Sequence, residues 1–417
     1  MATVIYWFRN DLRLNDNPAF AQACKDADHL LPIYLHQQHL EAITPWGFSR
    51  IASHRKNFLQ ESLKDLGDQL KGIGSSLVEL SGDLEEIFPL LGRRLGANII
   101  YCEQIEAPEE LEQVTILKRL GFDVRFYWQS SMLNPQSLPF DVKQMPKIFT
   151  PFRVEIERTG VRFLNPLEAS IITPPLPSQG IIPAQEQVLP TIKSRSIFRG
   201  GETAALAHIA QYFERRLPDT YKLTRNQLIG LDYSSKFSVW LAQGNCSARV
   251  IAKQLDLYER QHGKNDGTYW LWFELLWRDY FRFLPFKYGK KLYSSKGLSD
   301  KPANAFDMEK FHQWSRANTG EKLVDAGMRE LNLTGYLSNR MRQIVASYWI
   351  YDMKGDWQAG AAWFESQLID YDVYSNQGNW LYIAGCGTDP RGGRAFNIKK
   401  QTEDHDPNGD YQKIWLS

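Results

Sequence analysis

Residues 97–128 read ANIIYCEQIEAPEELEQVTILKRLGFDVRFYW. The apolar runs ANIIYC (97–102) and FDVRFYW (122–128) suit strands, and PEELEQVTILKRL between them places apolar residues at helical spacing. A strand, a crossover helix and a second strand make a unit whose strands lie parallel. The same alternation continues toward the N-terminus. VIYWF (4–8), LLPIYL (30–35) and SSLVEL (75–80) read as strands, with RKNFLQESLKDLGDQL and LEEIFPLLGRRL as helices among them. This predicts a doubly wound parallel sheet over residues 1–130. No GxGxxG follows VIYWF, so a dinucleotide site of the usual kind is not indicated at that turn. The turn instead holds Arg9, Asn10, Asp11, Leu12 and Arg13 at the carboxyl edge of the sheet, and its simplest reading is an exposed ion-pair cluster.

The texture then changes twice. Between 131 and 200, prolines including Pro135, Pro139, Pro146, Pro151, Pro166, Pro174, Pro183 and Pro190 are expected to interrupt any regular element, giving a long interdomain connector. From 201 to 417 the chain reads as helical, with ETAALAHIAQYFERRL, ARVIAKQLDLYERQ, TYWLWFELLWRDYFRFL and MEKFHQWSRA all apolar at three- and four-residue intervals and no convincing strand. The expected fold class is therefore α/β followed by all-α.

A chain of 417 residues has enough interior for a large buried ligand. Aromatics make up 13%, with 13 Trp and 19 Tyr, an excess that suits stacking on bases or flavins as well as plain packing. The formal net charge is +1, with 21 basic and 23 acidic residues in 1–200 against 28 and 25 in 201–417. A nucleic-acid surface would thus be a local patch in the second part. Cys24, Cys102, Cys246 and Cys386 are scattered without a CxxC pair, which argues for free thiols in a reducing compartment and against structural zinc. The start MATVIYWFRNDLRL is charged too early for a secretory signal, and no run is long enough to span a membrane, so a cytoplasmic protein is expected.

Three stretches of the second part hold chemistry. In DYSSKFS, Ser234, Ser235, Lys236 and Ser238 precede an apolar run and suit either helix capping or an anion site for a phosphate-bearing ligand. In TYWLWFELLWRDYFRF, Trp270, Glu274, Trp277, Arg278 and Phe281 share one helical face, which fits a cleft wall or an ion pair at the edge of a core. In 331–396, Ser338 is a candidate N-cap for a helix whose Asn339, Arg342, Gln343 and Ala346 share a polar face. A second helix is expected from Trp357 to Leu368, followed by an irregular loop through Asp370, Asp372, Asn376 and Gly378. Asp370 needs a partner if buried, and Arg342 is available.

These residues also sit in blocks that resemble the photolyase/cryptochrome family, most of all its DASH branch. The blocks are WFRNDLRLNDNPA, FRGGETAAL, YKLTRN, DYSSKFSVWLAQG, TYWLWFELLWRDYFRF, LVDAGMRELNLTGYLSNRMRQ and LIDYDVYSNQGNWLYIAGCGTDPRGGRAFN, in order and suitably separated. The resemblance implies a helical domain enclosing FAD and light-driven splitting of cyclobutane pyrimidine dimers. The alternative within the branch is a blue-light sensor with little or no repair. Carried over by position, Tyr221, Ser234, Ser235, Phe237 and Ser238 match residues around the flavin's phosphates and ribityl chain. Asn339, Arg342, Asp370, Asp372 and Asn376 match those around its ring and adenine, with Asn376 at the place facing flavin N5. The resemblance makes Glu274, Trp277, Asn339, Asn376 and Tyr382 the catalytic set, and Trp277, Arg278, Arg340, Gln343 and Tyr382 the DNA contacts.

Gln343 and Tyr382 stand where the family's duplex-acting enzymes carry Met and Trp, so UV-damaged single-stranded or looped DNA is the expected partner of what is expected to be a monomer. Trp380 and Trp357 match the first two members of the family's electron-transfer chain, but the third position holds Asn304. Photoreduction is then expected to be slow or to run through another ring such as Phe306 or Trp349. The end at KIWLS, where relatives usually continue, weakens a sensory role. A methenyltetrahydrofolate antenna is a further implied cofactor, with Glu103 or Glu106 as its expected contacts.

Overall fold

The structure, a computed structural model, describes residues 2–168, 171–178, 196–300 and 302–417. Five strands, β1 (Thr3–Phe8), β2 (His29–His36), β3 (Val78–Ser81), β4 (Ile99–Glu103) and β5 (Asp123–Tyr127), form one sheet in the order β3-β2-β1-β4-β5. Every pairing is parallel, with Ile5 opposite both Leu31 and Ile100. Such strands are covered on both faces, which is why they read as unbroken apolar runs. Trp7, Ile33 and Phe88 pack on one side, and Tyr6, Phe20 and Leu66 on the other. The order of strands reverses between β1 and β4, and the crevice outside their carboxyl ends is where sheets of this kind bind ligands.

The turn after β1 is not the exposed cluster its charges suggest. Asp11, Arg13 and Asp16 are buried. Asp11 accepts from Tyr6 Oη at 2.5 Å and Gln129 Nε2 at 3.0 Å, while Arg13 Nη1 donates to the Gly244 carbonyl at 3.1 Å. Arg249 pairs with Asp16 at 2.8 Å, and Glu202 accepts the backbone N–H groups of Leu14 and Asn15. A buried charge is tolerated only when paired; Asp11 finds its partners within the first part of the chain, whereas Arg13 and Asp16 find theirs in the helical part.

The proline-rich segment is also more regular than expected. Phe149–Thr159 is an α-helix, because Pro151 falls in its first turn, where no N–H is needed, and Gly160 ends it in the left-handed region. Pro183 and Pro190 lie outside the described residues. Among the described residues beyond 201 there are helices and no strand. The long helix Asp266–Tyr288 starts at an Asn265/Thr268 capping box, and Ser338 caps Asn339–Ser347 as anticipated by accepting from Met341 N at 3.1 Å. Trp357–Gln367 follows the expected bounds. The expected loop does not persist: Val373–Ala384 is a helix that contains Asn376 and Gly378, capped by Asp372 through Ser375 N at 2.7 Å. A Cβ at Gly378 would meet Phe281 at 2.2 Å, so glycine lets this helix lie directly on Asp266–Tyr288.

Candidate cofactor and substrate site

These helices enclose a cavity of about 560 Å³ lined by residues between Tyr221 and Phe396. The structure brings into its wall every residue expected to hold the flavin, the dimer or the DNA, and of the two expected electron-transfer tryptophans Trp380 but not Trp357. Tyr221, Ser234, Ser235, Phe237 and Ser238 form one side. Asn339, Arg340, Arg342 and Gln343 project from Asn339–Ser347, and Asp370, Asp372, Asn376, Trp380 and Tyr382 follow along or just before Val373–Ala384. Glu274, Trp277 and Arg278 close the cavity from Asp266–Tyr288.

The ion pair anticipated for Asp370 is present. Arg342 Nη2 lies 3.0 and 2.8 Å from the two carboxylate oxygens, Ser238 Oγ donates to the same carboxylate at 2.7 Å, and the Asp370 side chain is fully enclosed. Burial opposes the Arg342 charge, but Asp370 beside it raises the guanidinium above its ordinary range. Asp372 pairs with Arg282, and although burial penalises its charge, Arg282 and Arg278 hold it below the usual carboxylate range. Lys236 is 4% exposed, and its ammonium sits 3.1 Å from the Tyr233 ring centroid with no hydrogen-bonded acceptor among the described residues. Burial pushes it down to about 7, partly offset by Glu330. An uncompensated cation beside three serines fits a phosphate-bearing ligand.

Asn376 Nδ2 donates to the Ala361 carbonyl at 3.0 Å, which leaves its amide oxygen free to accept from a ligand N–H. Trp277 stacks on Phe149 at 3.7 Å and 13°, and meets Tyr382 edge-on at 5.8 Å and 85°. Glu274 does not pair with Arg278, four residues on. It pairs with Arg225 at 2.6 Å; burial raises its pKa and Arg225 lowers it in part. Arg278 turns inward and donates to the carbonyls of Ser130 and Leu241 at 2.5 and 3.3 Å. Arg340 donates to Asn226, and Asn339 and Gln343 offer amides with no partner among the described residues.

Three neighbours of the site carried no sequence signal of their own. Arg225 stands inside the block YKLTRN but pairs across 49 residues. Arg394 binds Asp389 at 2.9 Å and donates to the Tyr382 hydroxyl at 2.6 Å, so it belongs to the Tyr382 wall. Phe149 comes from the proline-rich segment. Only the YKLTRN and DPRGGRAF blocks could have drawn attention to the two arginines.

A second cavity, of about 410 Å³, opens at the β1/β4 crevice. Trp7, Arg9, Tyr34, Arg50, Glu109 and Gln113 line it from the sheet side, and Trp357, Tyr371, Asn376 and Gln377 from the helical side. Arg50 bridges Glu109 and Glu365 at 2.8 and 2.7 Å. Glu103 and Glu106 do not line this cavity. Glu103 is buried beside a space of about 10 Å³ near Arg13 and Arg282; burial, reinforced by Asp11, pushes it up to about 8.

Residues 4–172 match the family model for DNA photolyase, and residues 270–417 match the FAD binding domain of DNA photolyase. Cryptochrome DASH from Synechocystis sp. is 42% identical over 99% of this chain and 87% of its own length. The chain belongs to the photolyase/cryptochrome family, in its DASH branch. The solved Synechocystis cryptochrome structure superposes with a TM-score of 0.95 at 41% identity, covering 100% of this chain and 89% of that one. An archaeal photolyase from Sulfolobus tokodaii, solved with two FAD molecules, gives 0.79 at 26% identity over 100% and 90%. The family assignment makes FAD the cofactor, and the larger cavity has the donors and aromatic walls such a ligand requires. Among the described residues no helix is long and apolar enough to cross a membrane.

Proposed function

We propose that this protein is a light-driven repair enzyme that splits cyclobutane pyrimidine dimers in single-stranded or looped DNA. The observation that carries the reading is one cavity with two unlike walls. Arg342–Asp370, Asn376 and the serine-and-lysine corner suit FAD, while Glu274, Trp277 and Tyr382 face the same space with the chemistry to hold a pyrimidine pair. Bound there, reduced FAD supplies a photoexcited electron to the dimer.

The protein's own groups do the rest. Ser234, Ser235, Ser238 and Lys236 hold the phosphates, and the free oxygen of Asn376 accepts from an N–H at the ring edge, which favours the reduced ring. Glu274, fixed by Arg225, accepts from the pyrimidine edge. Trp277, braced by Phe149, gives the apolar face. Arg340 and Gln343 stand at the rim for DNA contacts, with Arg278 positioning the wall behind them.

Preference for single strands is supported by Tyr382. Its hydroxyl is engaged by Arg394 and its ring stands at 85° to Trp277, so it offers less parallel stacking than a second indole would. Removing a dimer from a duplex costs a few kcal/mol that such a pocket returns poorly. The second cavity suits an antenna chromophore, with methenyltetrahydrofolate as the candidate, and the two FAD molecules of the Sulfolobus tokodaii protein support a second pigment in this fold. The free, buried cysteines suit a reducing compartment such as the cytoplasm.

The test is repair of one thymine dimer in matched single-stranded and duplex oligonucleotides by reduced protein, under blue light and in the dark. Light-dependent repair confined to single strands is expected. Equal repair of duplex removes the role given to Tyr382, and no repair of either by reduced, FAD-loaded protein replaces the enzyme with the sensor.

A further inference from the structure

Asn304 occupies the place where an oxidisable ring is expected, and the structure shows what it does there. Its Nδ2 donates to the carbonyls of Ile350 and Gly355, both at 3.1 Å, and so braces the π-helical turn Tyr348–Asp352 that holds Trp349. Trp349 is fully buried, with its indole N–H on the Asp356 carbonyl at 2.7 Å. Trp314 lies 5.3 Å from it, nearly parallel at 28°, and 6.4 Å from Trp380 in the cavity wall. An added Cβ at Gly360 would meet Trp380 at 2.3 Å and Trp349 at 3.0 Å, so both indole edges converge on one glycine. Trp357 is different. Its N–H is held by the Ser295 carbonyl at 3.0 Å, it faces the second cavity, and no aromatic ring contacts it among the described residues.

Indole is among the most easily oxidised side chains, and electron tunnelling falls off exponentially with the gap between rings. A line of near-contact indoles therefore outcompetes one with a missing member. Trp349 is sealed from solvent, but Phe311 lies 5.7 Å from it and 5.9 Å from the half-buried Trp363. Phenylalanine does not hold a hole at this potential, so it serves as medium, and Trp363 is the outermost indole.

We propose that electrons reach the larger cavity through Trp363, Trp349, Trp314 and Trp380 in turn, with Trp357 outside the route. The proposal rests on the reading that FAD occupies that cavity. Trp380 gives one electron to the photoexcited oxidised ring, Trp314 refills Trp380, Trp349 refills Trp314, and Trp363 refills Trp349. An external thiol then reduces Trp363 and releases its proton to water, so one electron enters the protein for each one delivered.

The experiment follows flavin bleaching under blue light with dithiothreitol, without oxygen, in the full-length FAD-loaded protein and in W314F, W349F and W357F, with flavin content and unfolding temperature checked for each. At least a tenfold slowing in W314F and W349F, with less than twofold in W357F, is expected. Partial recovery in W349Y, whose phenol can still be oxidised, separates a redox role from packing. Slowing by W357F with W314F unaffected, equal slowing by all three, or W349Y no faster than W349F overturns the route. Dimer splitting by dithionite-reduced W314F and W349F is read in parallel and should not change. Failure of that repair in the parent protein would remove the repair function and leave the electron route standing.

Discussion

The two cavities lie back to back across the helix Val373–Ala384, sharing Ala242, Tyr371 and Asn376, and they are built in opposite ways. The larger draws its whole wall from residues 221–396, and its Arg342–Asp370 and Arg225–Glu274 pairs are both made within that stretch. The smaller needs residues 7–113 and 242–377 to meet, and its Arg50–Glu365 ion pair joins the two parts. A site made from one part of the chain keeps its chemistry as long as that part folds. A site made from two reports on how they dock.

The sharpest way to break this contrast is at Asp370. D370A leaves Arg342 facing a space without its counter-charge, and removing one member of a buried pair costs about 3–5 kcal/mol. Thermal unfolding should show that loss together with release of flavin, and a variant that keeps both would deny the larger cavity its self-contained design. Lys236 gives a smaller effect with a defined sign. Burial holds its folded, ligand-free pKa down to about 7, so above that pH an anionic ligand binds only by taking up a proton. Flavin affinity is expected to be level below pH 7 and to fall as pH rises through it, by up to about tenfold per unit, or ~1.4 kcal/mol. K236M should bind weakly at pH 6 and lose the slope, and an unchanged slope would show that another group titrates. The smallest effect is expected at Arg50, whose pairs are partly exposed. R50A should cost less than about 1 kcal/mol of stability and leave flavin content intact while weakening any second pigment, measured by absorbance of the purified protein.

The fold was legible because a parallel sheet buried on both faces writes its strands as apolar runs, and because the helix cap at Ser338 is local. The larger site was legible because its residues sit in blocks. What escaped reading was long-range pairing. Glu274 takes Arg225 and leaves Arg278, four residues away, to backbone carbonyls, and no periodicity encodes that choice. Asn376 and Gly378 looked like loop residues by composition. They are helical because Asp372 caps the segment and because glycine is needed against Phe281. The charges after β1 looked exposed because their partners are distant in sequence, about a hundred residues away for Asp11 at Gln129 and more than 200 for Arg13 and Asp16, and Phe149 was hidden by the prolines around it, one of which starts its helix.

That turn after β1 also sets a schedule. Asp16 meets Arg249 only when a residue 233 positions later is available, and Leu12 and Arg13 wait for the loop at 243–245. At a ribosomal pace of roughly 5–20 residues per second, about 6–24 s pass between the end of β5 and the arrival of Arg249, with Asp16 still lacking that partner. During that interval water must stand in for the partners of Arg13 and Asp16, so the β1 turn is the last part of the sheet to reach its final environment.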